Sequence, residues 1–189
     1  MRIAFVGKAG AGKTALALYL GSAYDFHRLC FAGKVKEFAV AILMRGIKKG
    51  HPAYRGFLQA LGDGARKIDP NIWIRWFDME QLGEFDDAPE CNLVVDDCRY
   101  LNEVEYLREH GFIFIRVTGR QSKLPAVQAA HVSETELESF ADAEFVLDNS
   151  GTFEQTVSRL NTFLSTLTQK RQDRQTYMAM RLNNERGAR

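Results

Sequence analysis

Short apolar runs alternate along the chain with longer stretches in which apolar residues recur every three or four positions, so strands separated by helices are predicted. The strand candidates are Ile3–Val6, Arg28–Phe31, Asn92–Val95, Phe112–Val117 and Phe145–Leu147. A first helix is predicted over Ala15–Leu20, with Gly21-Ser22 ending it. A second is predicted over Lys34–Ile47, with Val35, Phe38, Ala39, Ile42 and Leu43 on one side and Gly46, Gly50 and Pro52 marking its end. Tyr54–Lys67 follows, and then a helix that Asp69 caps and Pro70 opens, running through Trp73, Trp76 and Phe77. Leu82–Cys91 reads as a surface loop, Asn102–His110 as a helix closed by Gly111, and Thr118–Ala130 as a mobile loop. Ser133 and Glu136 have capping-box spacing for a short helix, and Thr152 with Gln155 for a long last one. The stripe of that last helix (Phe153, Val157, Leu160, Leu164 and Leu167) is expected to pack on the sheet and to end near Leu167. Strands alternating with helices imply an α/β fold, a five-stranded parallel sheet flanked by helices.

At 189 residues and 46% hydrophobic, the chain suffices for one core, and a single domain over residues 1–169 is expected. The net charge of +1 gives no reason to expect a nucleic-acid partner, but residues 170–189 carry +4 and the rest −3, which sets off a basic tail. Cys30, Cys91 and Cys98 form no C-x-x-C pair, which argues against a disulfide framework or zinc site and for a reducing cytoplasm. No run has transmembrane length and no signal-peptide h-region precedes the first strand, so a soluble protein without membrane partners is expected.

Candidate chemistry begins where the first strand ends. Gly7-Lys8-Ala9-Gly10-Ala11-Gly12-Lys13-Thr14 is a complete G-x-x-x-x-G-K-[ST] loop, a P-loop or Walker A element, between a strand and a helix. Glycines let successive backbone N–H groups turn inward on phosphates, Lys13 brings an ammonium, and the Thr14 hydroxyl can ligate Mg²⁺. Leu93-Val94-Val95-Asp96-Asp97 places two carboxylates at a strand end, where one can serve the hydration shell of the same ion; which one stays open. Arg99 is aimed at the same crevice, either to fork a phosphate or to pair with Asp96 or Asp97. Arg116 and Arg120 fit phosphates neutralised as a lid closes, and Asn149 is placed either to contact the nucleotide base or simply to form a turn. An Asn-Lys-x-Asp guanine element and the glutamate of a motor ATPase are both missing, and the four histidines have no metal-ligand spacing.

From Met1 to about Leu167 the chain resembles the deoxynucleoside monophosphate kinases of tailed bacteriophages, within the nucleoside monophosphate kinase superfamily. The likeness rests on the P-loop, Phe31-Ala32-x-x-x-Lys36, Leu58-Gln59-Ala60-Leu61-Gly62 with Trp73, Asp97-x-Arg99 with Glu103, His131-x-Ser133-Glu134, and Asn149-x-Gly151-Thr152. It implies a P-loop kinase with a helical NMP-binding region at about residues 34–82 and a lid at about 118–134. It also implies that Lys36, Arg55, Gln59, Gly62, Trp73, Arg99 and Glu103 line the acceptor site, and Arg66 and Asp97 join that candidate set.

The segment between Lys36 and Arg55 is shorter than in larger members, and Asp63 stands where a hydroxyl residue is more familiar, so base preference transfers least. The implied activity is Mg²⁺-dependent transfer of the γ-phosphoryl group of ATP to a deoxynucleoside 5′-monophosphate, in the host cytoplasm if phage-encoded. Lys13, Arg99, Arg116 and Arg120 are the expected catalytic cations; Gly7, Gly10, Ala11, Gly12, Lys13, Thr14 and Asn149 the expected donor-site residues. Alternatives are another small acceptor, dephospho-coenzyme A or a ribonucleoside monophosphate, and a nucleotide-switched nucleic-acid-binding module. A homodimer is left open.

Overall fold

The computed structural model describes residues 1–43, 51–85, 88, 90–120, 124–138 and 140–187. The chain forms two units, Met1–Ser150 and Gly151–Arg189. Five parallel strands make the sheet of the first: β1 (Arg2–Val6), β2 (Phe26–Leu29), β3 (Asn92–Val95), β4 (Ile113–Thr118) and β5 (Phe145–Asp148), in the order β2-β3-β1-β4-β5. Central β1 is flanked by β3 and β4, with Ile3 opposite both Val94 and Ile113. Ile3, Ala4, Phe5 and Val6 are wholly buried, as a strand covered on both faces requires.

All five predicted strands are present, β3 with the predicted bounds and the others with ends shifted by one or two residues. The β2 strand lies two residues earlier than predicted because Phe31 and Ala32 turn their N–H groups onto the Asp97 carboxylate, each at 3.0 Å, instead of continuing the ladder. Helix α1 (Lys13–Tyr24) runs through Gly21-Ser22 and stops at Asp25, whose left-handed φ of 55° lets its N–H reach the Leu20 carbonyl. Helix α2 covers Ala32–Leu43; its predicted continuation to Ile47 and the stop residues Gly46 and Gly50 lie outside the described residues. Pro52, expected as part of that stop, opens α3 (Pro52–Ile68) at a position where the missing N–H costs nothing.

Asp69 closes α3 rather than capping the next helix. Its carboxylate accepts the Asn71 N–H at 3.0 Å, and α4 (Ile72–Phe77) starts after Asn71, then widens into a π turn over Asp78–Leu82. Trp73 is buried, whereas Trp76 is only half-buried, with the Lys34 ammonium 4.6 Å from its ring. Helix α5 (Leu101–Glu109) precedes β4, and two short helices follow it, α6 (Ala126–Ala129) within the predicted loop and α7 (Val132–Thr135). The cap of α7 is His131, whose ring nitrogen accepts the Ser133 N–H, not the predicted Ser133.

The core lies where Ala4, Val6, Leu93, Val95 and Phe114 of the sheet meet Phe77, Leu82 and Leu107. The second unit is α8 (Phe153–Gly187), opened by the predicted reciprocal pair: Gln155 accepts the Thr152 N–H, and the Thr152 hydroxyl accepts the Gln155 N–H. This helix does not end near Leu167. It runs on through the basic stretch, which holds no proline and only one late glycine to stop it. No helix among the described residues is long and apolar enough to cross a membrane.

Candidate active site

At the carboxyl ends of β1, β2 and β3, where an open parallel sheet leaves a crevice, lies a cavity of about 550 Å³. One wall is the glycine loop after β1, through Gly10, Gly12, Lys13 and Thr14. Gly12 has a φ of 101°, and a methyl group there would stand 2.3 Å from the Asn149 amide nitrogen. That nitrogen donates to the Ala11 carbonyl at 2.7 Å, and Asn149 is buried. Asn149 thus fastens the loop from beneath, and it is not among the residues that line the cavity. Gly7, at φ 137°, packs against the Val117 carbonyl and supports the loop from outside the cavity.

Lys13 is buried, and its ammonium donates back to the Gly7 carbonyl and, at 2.9 Å, to that of Lys8. Burial, and then repulsion from Arg99, lowers its pKa to about 7.

The opposite wall comes from α2, α3 and the segment after β3. Lys36, Arg55, Gln59, Gly62, Arg66, Asp97, Arg99 and Glu103 all line the cavity, as expected for the acceptor side. Trp73 does not. Its indole N–H is spent on the Gly62 carbonyl at 3.0 Å, so it braces the wall from behind. Arg116 is displaced as well: it lines a smaller neighbouring cavity of about 220 Å³ and donates to the carbonyls of Leu137 and Glu138. Arg120 is exposed and does not line the main cavity. Of the four expected catalytic cations, Lys13 and Arg99 line the main cavity, whereas Arg116, within β4, lines only the smaller one, which shares Arg99 and Glu134 with the main one, and Arg120 lines neither.

Both strand-end acids line the cavity with their oxygens engaged. Asp96 accepts from the Arg28 guanidinium at 2.9 and 3.0 Å, and Asp97 takes the two amides that open α2. Burial, reinforced by Asp96, raises the Asp97 pKa. Arg99 does not pair with either acid; it pairs with Glu134 at 2.7 Å and donates to the Ser133 carbonyl at 3.2 Å. Two residues central to this network, Arg28 and Glu134, were not among the sequence-based site candidates. For Glu134 the signal was present in the His131-x-Ser133-Glu134 block, but its role depends on a contact with Ala9, 125 positions away.

Glu103 is buried and holds three donors: Arg66 at 2.9 Å and the backbone N–H groups of Arg99 at 2.7 Å and Tyr100 at 3.2 Å. The Arg66 guanidinium lies 3.8 Å above the Tyr100 ring. Burial pushes the Glu103 carboxyl up to about 7, against the pull of Arg66. The native protein therefore keeps this proton where the unfolded chain, titrating near 4.5, releases it, and the group makes stability fall as pH rises from about 4.5 to about 7. Glu103→Ala should abolish that slope. At neutral pH it should also cost about 2–4 kcal/mol, because a partly buried guanidinium and two amides lose their acceptor. Urea unfolding of both proteins across this range checks both points.

A glycine loop closing one end of a cavity and a bank of cations lining the other define an α/β protein built to hold phosphate groups. A family model described as deoxynucleotide monophosphate kinase matches residues 45–160, and the chain belongs to that family; it is a nucleotide kinase. Uncharacterized protein ORF77 of Ictalurid herpesvirus 1 (strain Auburn) is 28% identical over 162 residues, covering 86% of this chain and 69% of that protein. The crystal structure of TT1252 from Thermus thermophilus, 19% identical, superposes with a TM-score of 0.50 over 88% of this chain and 97% of its own, a likeness of fold. An unliganded sugar kinase from Janibacter sp. HTCC2649 is 20% identical, with a TM-score of 0.49 over 87% and 94%.

Proposed function

We propose that this protein transfers the γ-phosphoryl group of ATP to a deoxynucleoside 5′-monophosphate, giving ADP and the deoxynucleoside diphosphate. The observation that carries this reading is a single cavity with Lys13 and the glycine loop on one wall and Lys36, Arg55, Arg66 and Arg99 on the other. Two phosphate groups that must approach each other need such charge on both sides. The matched stretch, residues 45–160, covers most of the acceptor wall and leaves out the glycine loop, so the family and the loop support the two halves of the reading separately.

The residues fit a Mg²⁺ ion as well. Thr14, Asp96 and Asp97 line the cavity; the Thr14 hydroxyl could ligate the ion, while the two carboxylates, already bound by Arg28 and by the amides that open α2, would accept from its water. That suits an ion held mostly by phosphates and water. When bound, it neutralises phosphate charge.

The chain's own work is alignment. The acceptor phosphate, with a second pKa near ~6, is already ionised at neutral pH, so no residue has to take a proton from it. Its oxygen attacks the γ-phosphorus as the bond to the bridging oxygen of ADP breaks. Lys13 and the loop amides hold the donor, while Arg55 and Arg99 hold the acceptor phosphate and spread the charge.

A coupled ADP assay with the four deoxynucleoside monophosphates, ribonucleoside monophosphates and dephospho-coenzyme A tests this proposal. Turnover confined to either of the last two acceptors would replace the reading. Arg99→Lys keeps charge but loses the fork, so kcat/KM for the acceptor should fall at least about tenfold, with ATP binding in its absence nearly unchanged. Equal weakening of ATP binding would move Arg99 to the donor side.

A further inference from the structure

The cavity that reads as a phosphate site already contains an anion. Glu134, on α7, projects its nearly buried carboxylate across the glycine loop. One oxygen accepts the Ala9 N–H at 3.2 Å and pairs with Arg99 at 2.7 Å; the other pairs with Arg55. A loop amide and two guanidiniums from separate elements, α3 and the segment after β3, are the donors that a phosphoryl group would recruit. Burial alone would raise the pKa of this carboxyl, but Arg99 and Arg55 more than offset it and hold the group ionised.

The segment bearing Glu134 is itself docked on both walls. The His131 ring lies 2.7 Å from the Asp63 carboxylate of α3, and Glu138 pairs with Lys8 of the loop at 2.8 Å. Glu134 is therefore held over the loop from both sides of its own helix.

We propose that Glu134 is a built-in phosphate surrogate: it fills the phosphoryl position of the nucleotide-free protein, and incoming phosphate must displace it to free Arg55 and Arg99. This rests on the reading of the cavity as a phosphate site, and it adds the group against which nucleotides compete. Two anions cannot share the single Ala9 N–H, and a phosphate oxygen within van der Waals reach of a carboxylate is repelled unless the carboxylate leaves. A protein whose arginines are occupied in this way also withholds them from an ATP molecule that arrives without its acceptor.

Inorganic pyrophosphate is the probe, since it needs neither base nor sugar. In calorimetric titrations of the full chain without metal, Glu134→Gln should bind pyrophosphate at least tenfold more tightly than the unmodified protein. Unchanged or weaker binding would overturn the proposal and make Glu134 a support that sets the arginines in their working positions. Should the glutamine variant not fold, the unmodified protein still decides. A crystal structure with pyrophosphate should show the Glu134 carboxylate withdrawn from the Ala9 N–H, and retention of all three of its partners would overturn the idea. Tighter binding in Glu134→Gln together with no turnover of any deoxynucleoside monophosphate would uphold the surrogate and remove only the acceptor assignment.

Discussion

Lys13→Ala is expected to lower kcat at least about 100-fold while leaving the fold intact, the scale of losing one preorganised donor to a charge that develops in the transition state. The side chain is buried, yet its ammonium meets only two loop carbonyls, so it adds little to packing. Its pKa of about 7, against an ordinary 10.5, means that the unfolded chain binds this proton more tightly than the folded one. Between about pH 7 and 10.5 that difference makes stability rise with pH, and below pH 7 the ammonium imposes its full cost on the fold. The alanine variant is freed of this cost. Its melting temperature at pH 7 should equal or exceed that of the unmodified protein while its turnover collapses, and near-normal turnover in a well-folded variant would end the kinase reading.

Gly12→Ala should be the second severe change, and it should damage binding and fold together. Its φ of 101° is hostile to a side chain, and the added methyl would lie 2.3 Å from the amide with which Asn149 holds Ala11. Backbone strain of about 1–3 kcal/mol and a loop forced off its anchor should weaken ATP binding at least about tenfold. Titration calorimetry and thermal melts read the two effects. Gly64→Ala is the matched control: in α3, with nothing within 4 Å of the new methyl, it should be neutral or stabilise by about 0.5–1 kcal/mol. If Gly12→Ala bound ATP normally, the loop would not be the phosphate cradle.

The features legible in the sequence are those set by neighbours along the chain. The glycine loop is written in the backbone freedom it needs, β1 in an unbroken apolar run, and Asp96-Asp97-x-Arg99 in its place at the end of a strand. The misplacements concern which way a side chain faces once the sheet is built. Arg116 is half-buried on β4, and its guanidinium goes to the Leu137 and Glu138 carbonyls; nothing local marks that choice. Asn149 stands at a strand end, and its clamp on the Ala11 carbonyl fits only because Gly12, 137 positions earlier in the chain, carries no side chain. Trp73 lies behind the acceptor wall because one hydrogen bond to Gly62 uses its polar end. Asp96 was readable as an acid at the site, whereas its Arg28 partner is 68 positions earlier and appears only when β2 and β3 pair.

Four consecutive residues after β3 link separate parts of the molecule: Asp96 to β2 through Arg28, Asp97 to the start of α2, Cys98 to the core, and Arg99 to Glu134. Their side chains reach different destinations within one short irregular stretch that follows the strand. Such a stretch works as a gauge: its length, more than any one of its side chains, keeps sheet, acceptor wall and Glu134 segment in register. A substitution there cuts one tie, whereas a single inserted or deleted residue would misdirect all of them at once. Variation in chain length is therefore the change that this part of the molecule tolerates least.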